Sequence, residues 1–271
     1  MRLGAENRGW KRARNGSAPD RLEKFSSGKI GHRSVILSTV SGATTNKKRS
    51  FEFLSLSLLV GLGTAIVALI FFGWLADEAL EGDARWFDDA TRAAVHELAT
   101  PLLTAIMRGL SFVGSTIALT AGTIFVLVRF AMRKWGHEAK LFAVTMIGAG
   151  LLNITLKLAF KRPRPVPFFN LSPPETYSFP SGHSLTSAVF FGALAAILTA
   201  RIKSKRVRVA IWIVCSAMFL LIGLSRIYLG VHYTTDVIAG FAAALIWILM
   251  VRFVEMQLMR RKRRRQAAAS R

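Results

Sequence analysis

Polar and charged residues gather at intervals along the chain and leave six long apolar stretches between them. These fall at about 53–75, 114–131, 141–160, 183–200, 208–226 and 232–251. Each approaches the roughly 20 residues that carry a helix across a bilayer. The pattern predicts an all-α fold, a polytopic integral membrane protein with six transmembrane helices in one bundle. A different pattern runs through 86–112. Phe87, Ala90, Ala94 and Leu98, then Leu102, Ile106 and Leu110 after Pro101, recur at helical spacing, with Asp89 and Arg92 on another face. That spacing predicts an amphipathic helix in the first external loop, broken near the proline and lying in the interface or packed over the bundle. Residues 1–50 hold no apolar run beyond Val35-Ile36-Leu37 and are expected to form a disordered basic tail. The expected domains are this tail, a membrane domain over 51–255, and a basic cytoplasmic tail over 256–271.

Charge adds orientation. The 271 residues carry 37 Lys and Arg against 15 Asp and Glu, a net charge of +22. On a soluble protein that excess would point to nucleic acid. With 52% hydrophobic residues and 19 Phe, a soluble nucleic-acid binder is excluded. The single cysteine, Cys215, excludes an intrachain disulfide and a cysteine-based zinc site. The cations instead sit in 1–50, 129–140, 201–208 and 252–271, which six spans place on one side. Loop 77–110 holds seven acids against three Arg. The positive-inside rule therefore puts both termini in the cytoplasm of a cell (inner) membrane and loops 77–110, 161–182 and 227–231 on the outer, periplasmic side. The basic cytoplasmic segments are expected to rest on anionic lipid.

Ionisable residues at the edge of a span are costly and mark candidate sites. Lys157, Lys161, Arg162 and Arg164 end the third stretch, His183 opens the fourth, Arg226 ends the fifth, and His232 and Asp236 open the sixth. All lie on the predicted outer face. For Lys161 and Arg162 an equal alternative is that they are helix-end cations reaching back to headgroups. Several fixed cations without an acidic surplus suit a multiply charged anion, phosphate above all. Pro180, Ser181, Gly182 and His183 stand at a helix start, whose free N–H groups and positive dipole end can cradle phosphate oxygens. His232 and Asp236, four residues apart, would share a helical face. The carboxylate can then take one imidazole N–H and leave the other nitrogen as base or nucleophile, with His183 as proton donor to a leaving oxygen. Two histidines without a convergent carboxylate set do not suggest a metal, and no cofactor is implied. His32, His96 and His137 read as surface histidines, and Glu175 and Tyr177 as solvated loop.

Three segments carry a family resemblance: Lys157-x6-Arg164-Pro165, Pro180-Ser181-Gly182-His183, and Ser225-Arg226-x5-His232-x3-Asp236. Together and in this order they resemble the signature motifs of the type 2 phosphatidic acid phosphatase superfamily, which also includes the vanadium haloperoxidases, in its bacterial membrane branch. The resemblance covers roughly residues 52–255. It implies a metal-independent lipid phosphatase acting on undecaprenyl diphosphate, phosphatidylglycerol phosphate or phosphatidic acid. It also implies His232 as the nucleophile that becomes a phosphohistidine, Asp236 orienting it, and His183 as acid and then base. Lys157, Arg164, Ser181, Gly182 and Arg226 would hold the phosphate. The rival from another class is an anion or anionic-lipid transporter, against which stand the position of the cluster at one face and the lack of a visible repeat.

Overall fold

A chain this apolar has to satisfy its backbone polar groups within itself, and helices do so segment by segment. The computed structural model describes residues 60–172 and 175–270, and among the described residues every regular element is a helix. They are α1 (Val60–Glu81), α2 (Arg85–Glu97), α3 (Pro101–Val113), α4 (Thr116–Met132), α5 (Gly136–Phe160), α6 (Gly182–Ala200), α7 (Lys205–Tyr228) and α8 (Thr234–Ala269). The expected tail over 1–50 and the start of the first span lie outside the described residues.

Five of these helices (α1, α5, α6, α7 and α8) are long and apolar enough to cross a membrane alone. The expected second span, 114–131, falls on α4, whose 17 residues are long enough to cross only together with α3, from which it is bent by 54°. Local chemistry explains the break. Ser115 caps α4, its Oγ accepting from the Ala118 amide at 3.2 Å. Thr100 caps α3 in the same way, accepting from Leu103 at 3.2 Å, with Pro101 at the first helical position. The proline break expected between 86 and 112 therefore falls at 98–100. α8 runs 36 residues, about 54 Å at the usual rise. Residues 256–269 thus continue the last helix.

α6 is the central helix. It packs against α4, α5, α7 and α8, and most of its residues are buried. Phe179, just before it, is fully buried and packs edge-on to Phe160 with ring centroids 5.0 Å apart. A second aromatic cluster joins Phe130, Phe142 and Phe190 toward the other end of the bundle. α2 packs against α7 and α8, and α3 against α7. Most of the apolar positions read from the sequence in this region face outward, while Leu110 packs against the cluster of Met107 and Tyr228. Leu98, Leu102 and Ile106 are exposed, whereas Asp88 on the opposite face of α2 is fully buried.

At Gly240, α8 comes close to the backbone at the start of α6. A Cβ there would stand 2.8 Å from the Ser181 carbonyl oxygen and 3.2 Å from the Leu185 amide nitrogen. Both are backbone atoms, so the contact cannot be relieved by a side-chain rotation. One turn earlier, the Asp236 carbonyl accepts the Ser181 amide at 2.9 Å. The small residue therefore sets the spacing between the start of α6 and the start of α8. Gly240→Ala is expected to lower the thermal midpoint in detergent, by about 1–3 kcal/mol of overpacking strain, and to reduce turnover. Gly150→Ala, where a Cβ meets nothing within 4 Å, is expected to leave both unchanged. Equal midpoints for the two variants would contradict this account of the crossing.

Candidate active site

The end of α5 decides where two arginines point. Lys161 takes the left-handed conformation at φ 47° and its amide closes the last turn on the Lys157 carbonyl at 3.0 Å. Pro163 and Pro165 cannot continue a helix, and the residue before each is held extended. Arg162 and Arg164 therefore leave an extended segment on different sides. Lys161 is exposed, as helix-end reach to the headgroups would have it. Arg162 is not: it is buried and donates from Nη1 to Asp236 Oδ1 at 2.7 Å and to Thr235 Oγ1 at 2.8 Å. Its Nη2 donates to Asp88 Oδ2 at 2.9 Å. The headgroup alternative is thereby corrected for Arg162, which is an interior ion-pair partner.

Arg164 is a surface-to-site bridge. Its Nε donates to the Thr176 carbonyl at 2.6 Å and its Nη2 to Thr176 Oγ1 at 2.9 Å. Its Nη1 donates to the Val231 carbonyl at 2.8 Å and faces His232 Nε2 at 3.0 Å. Lys157, one turn before the end of α5, donates to the Tyr177 carbonyl at 2.5 Å. The loop that the sequence presents as solvated thus holds two site cations by its backbone.

His232 and Asp236 meet, but not on a shared helical face. α8 begins at Thr234, so His232 lies in the preceding turn and Asp236 is the third helical residue. The Asp236 carboxylate reaches back over the helix start, as in a capping box. Its Oδ2 accepts from the Tyr233 amide at 3.0 Å and stands 3.2 Å from His232 Nδ1. Ser178 Oγ donates to the same oxygen. With Nδ1–H given to Asp236, Nε2 is left as an acceptor, and the Arg164 guanidinium that meets it can only donate.

The Ser181 hydroxyl caps α6, accepting from the Ser184 amide at 3.4 Å and from Ser184 Oγ at 3.0 Å, which leaves its own proton free. Gly182 opens the helix; a Cβ there would touch the Asn153 carboxamide at 3.0 Å. His183 follows, within electrostatic range of Arg226, His232, Arg164 and Lys157. Arg226, buried near the end of α7, donates to Ser111 Oγ on α3. The structure thus gathers all eight residues singled out from the sequence: Lys157, Arg164, Ser181, Gly182, His183, Arg226, His232 and Asp236. It adds Asp88, Ser111, Arg162, Ser178 and Thr235, which the motifs alone do not indicate. Of these only Arg162 carried a signal, an arginine between prolines beside a motif cation. Asp88 was hidden among the acids of loop 77–110. His96, expected at the surface, stacks on Phe168 at 4.0 Å.

Burial is the main force on the His232 imidazole. Working against the nearby Asp236 carboxylate and aided by the Arg164 and Arg226 charges, it pushes the imidazole down to about 3. The ring is therefore neutral throughout the physiological range, with its Nε2 lone pair toward the Arg164 guanidinium. In the purified protein the His232 ring resonances are expected not to titrate between pH 8 and 5. A midpoint near the ordinary 6.5 for His232 would overturn the neutral assignment.

Comparison with known proteins adds the following. The family model for the PAP2 superfamily matches residues 138–259. Over 167 residues the chain is 29% identical to phosphatidylglycerophosphatase B of Bacillus subtilis (strain 168), spanning 61% of this chain and 81% of that one. Over 107 residues it is 38% identical to lipid A 1-phosphatase of Rhizobium etli, spanning 36% of this chain and 42% of that one. Its fold is similar to the crystal structure of a transmembrane PAP2-type phosphatidylglycerolphosphate phosphatase from Bacillus subtilis. The TM-score is 0.66 at 28% identity, covering 72% of this chain and 96% of the other.

Proposed function

Since the chain belongs to the PAP2 superfamily, we propose that this multi-pass membrane hydrolase removes the terminal phosphate of a lipid phosphate through a phosphohistidine. The observation that carries the proposal is the pair of contacts on His232. Asp236 sits at Nδ1 and a guanidinium from Arg164 at Nε2, so the Nε2 lone pair faces the fixed cations. In the first step Nε2 attacks phosphorus, the P–O bond to the lipid breaks, and His183 gives its proton to the departing oxygen. In the second, His183 takes a proton from water, the resulting hydroxide attacks phosphorus, the N–P bond breaks, and inorganic phosphate leaves. His183 ends protonated as it began.

Charge accumulates on the equatorial oxygens during both steps. Lys157, Arg164 and Arg226 supply the positive field, and the Ser181 hydroxyl with the amides opening α6 supplies aligned donors. Asp236 stabilises the imidazolium character that His232 acquires on attack. Phosphatidylglycerol phosphate is the first substrate to test, because the relatives matched over most of their length carry that activity in their names. Undecaprenyl diphosphate and phosphatidic acid complete the panel. The distribution of basic segments supports an active site on the outer face, with the exposed apolar side of α2 and α3 in the membrane interface.

Phosphate release by the purified protein from these lipids is the direct test. His232→Ala is expected to fall to background while retaining the wild-type thermal midpoint. Asp236→Asn is expected to lose about 10²–10⁴-fold, as in other oriented-histidine sites. Activity is expected to survive excess EDTA, since Lys157, Arg164 and Arg226 supply the charge at phosphorus. Wild-type turnover in His232→Ala, or full dependence on added Mg²⁺, would sink the mechanism.

Topology is tested separately. In a Cys215→Ser background, single cysteines at 135, 204 and 265 are expected to resist an impermeant thiol reagent in intact cells, while cysteines at 89 and 172 react. Labelling at 204 would place the site on the cytoplasmic face.

A further inference from the structure

Asp236 keeps its charge in an enclosed site only because of how its partners are distributed. Its Oδ2 serves His232, Ser178 and the Tyr233 amide. Its Oδ1 takes the Arg162 guanidinium at 2.7 Å. A full positive charge held against Asp236 alone would neutralise the carboxylate and weaken its support of His232. Arg162 is not held by Asp236 alone. Its other nitrogen is bound to Asp88 Oδ2 at 2.9 Å, and Asp88 is fully buried. Asp88 is itself locked in place: its Oδ1 accepts the Thr235 amide at 2.8 Å and its Oδ2 the Thr235 hydroxyl at 2.8 Å. Thr235 is the residue next to Asp236, and its hydroxyl also receives Arg162. The triad Asp88–Arg162–Asp236 thus carries one net negative charge, shared across one guanidinium.

We infer that Asp88, on α2 and ahead of the segment matched by the family model, is a positioning residue for the reaction. It draws the Arg162 charge away from Asp236 so that Asp236 stays an anion for His232. Through Asp88, the helix preceding the bundle's motif-bearing spans takes part in the chemistry. The inference rests on the phosphohistidine reading above.

The test uses the purified full chain and the lipid phosphate it hydrolyses. Asp88→Asn preserves shape and removes charge, leaving Arg162 to Asp236 alone. kcat is expected to fall about 10–100-fold, as when the carboxylate behind an oriented histidine is altered. KM is expected to stay within about twofold, because no phosphate-holding residue is touched. The double variant Asp88→Asn, Arg162→Gln restores the single net negative charge of the original triad. It is expected to regain kcat several-fold over Asp88→Asn, whereas a purely structural role makes it equal or worse. Melting midpoints establish folding. If Asp88→Asn does not fold, a folded double variant with kcat within about tenfold of wild type supports the inference, and an inactive one overturns it. Wild-type kcat in Asp88→Asn, a rise in KM that accounts for the loss, no recovery in the double variant, or failure of both to fold would each overturn it. His232→Ala run alongside separates the two levels: residual turnover there removes the phosphohistidine reading itself, whereas an inactive His232→Ala beside a wild-type Asp88→Asn removes only the role of Asp88.

Discussion

A fully buried carboxylate in an apolar bundle is tolerated only when donors saturate it, and Asp236 is such a carboxylate. Its donors come from three parts of the chain: Arg162 after α5, Ser178 before α6, His232 and Tyr233 between α7 and α8. Lipid tails are as apolar as leucine, so burial of apolar surface does little to choose one helix arrangement over another. Directional bonds to a buried charge do choose. Removing one partner of such a pair costs about 3–5 kcal/mol in general, enough to fix which ends converge. The fold around the site is organised by this one anion and by Asp88 behind it.

The cations around it are held by backbone carbonyls. Lys157 is bound to Tyr177, and Arg164 to Thr176 and Val231. Flexible side chains with about 2 kcal/mol of rotamer entropy each are thereby placed before any substrate arrives. Donors fixed in advance need no reorganisation at the moment charge develops.

Much of this was legible in the residues. Five of the six apolar stretches correspond to long helices, and all eight motif residues converge, because hydrophobic length and charge at span ends are local signals. What was not legible depended on tertiary placement. Periodicity in 86–112 located two amphipathic helices but did not reveal that the polar face of α2, with Asp88, turns inward. Arg162 read equally as a site cation or a headgroup cation because a sequence does not show where its carboxylates are. The four-residue spacing of His232 and Asp236 suggested a common helix face. The pair is instead joined across a helix start, with the same result for the imidazole.

Gly240 carries the furthest consequence. Because a backbone carbonyl fills the space where its side chain would be, the cradle at the start of α6 and the dyad at the start of α8 share one fixed separation. Neither can drift without the other. A displacement of either helix start is therefore carried to the other through backbone atoms alone.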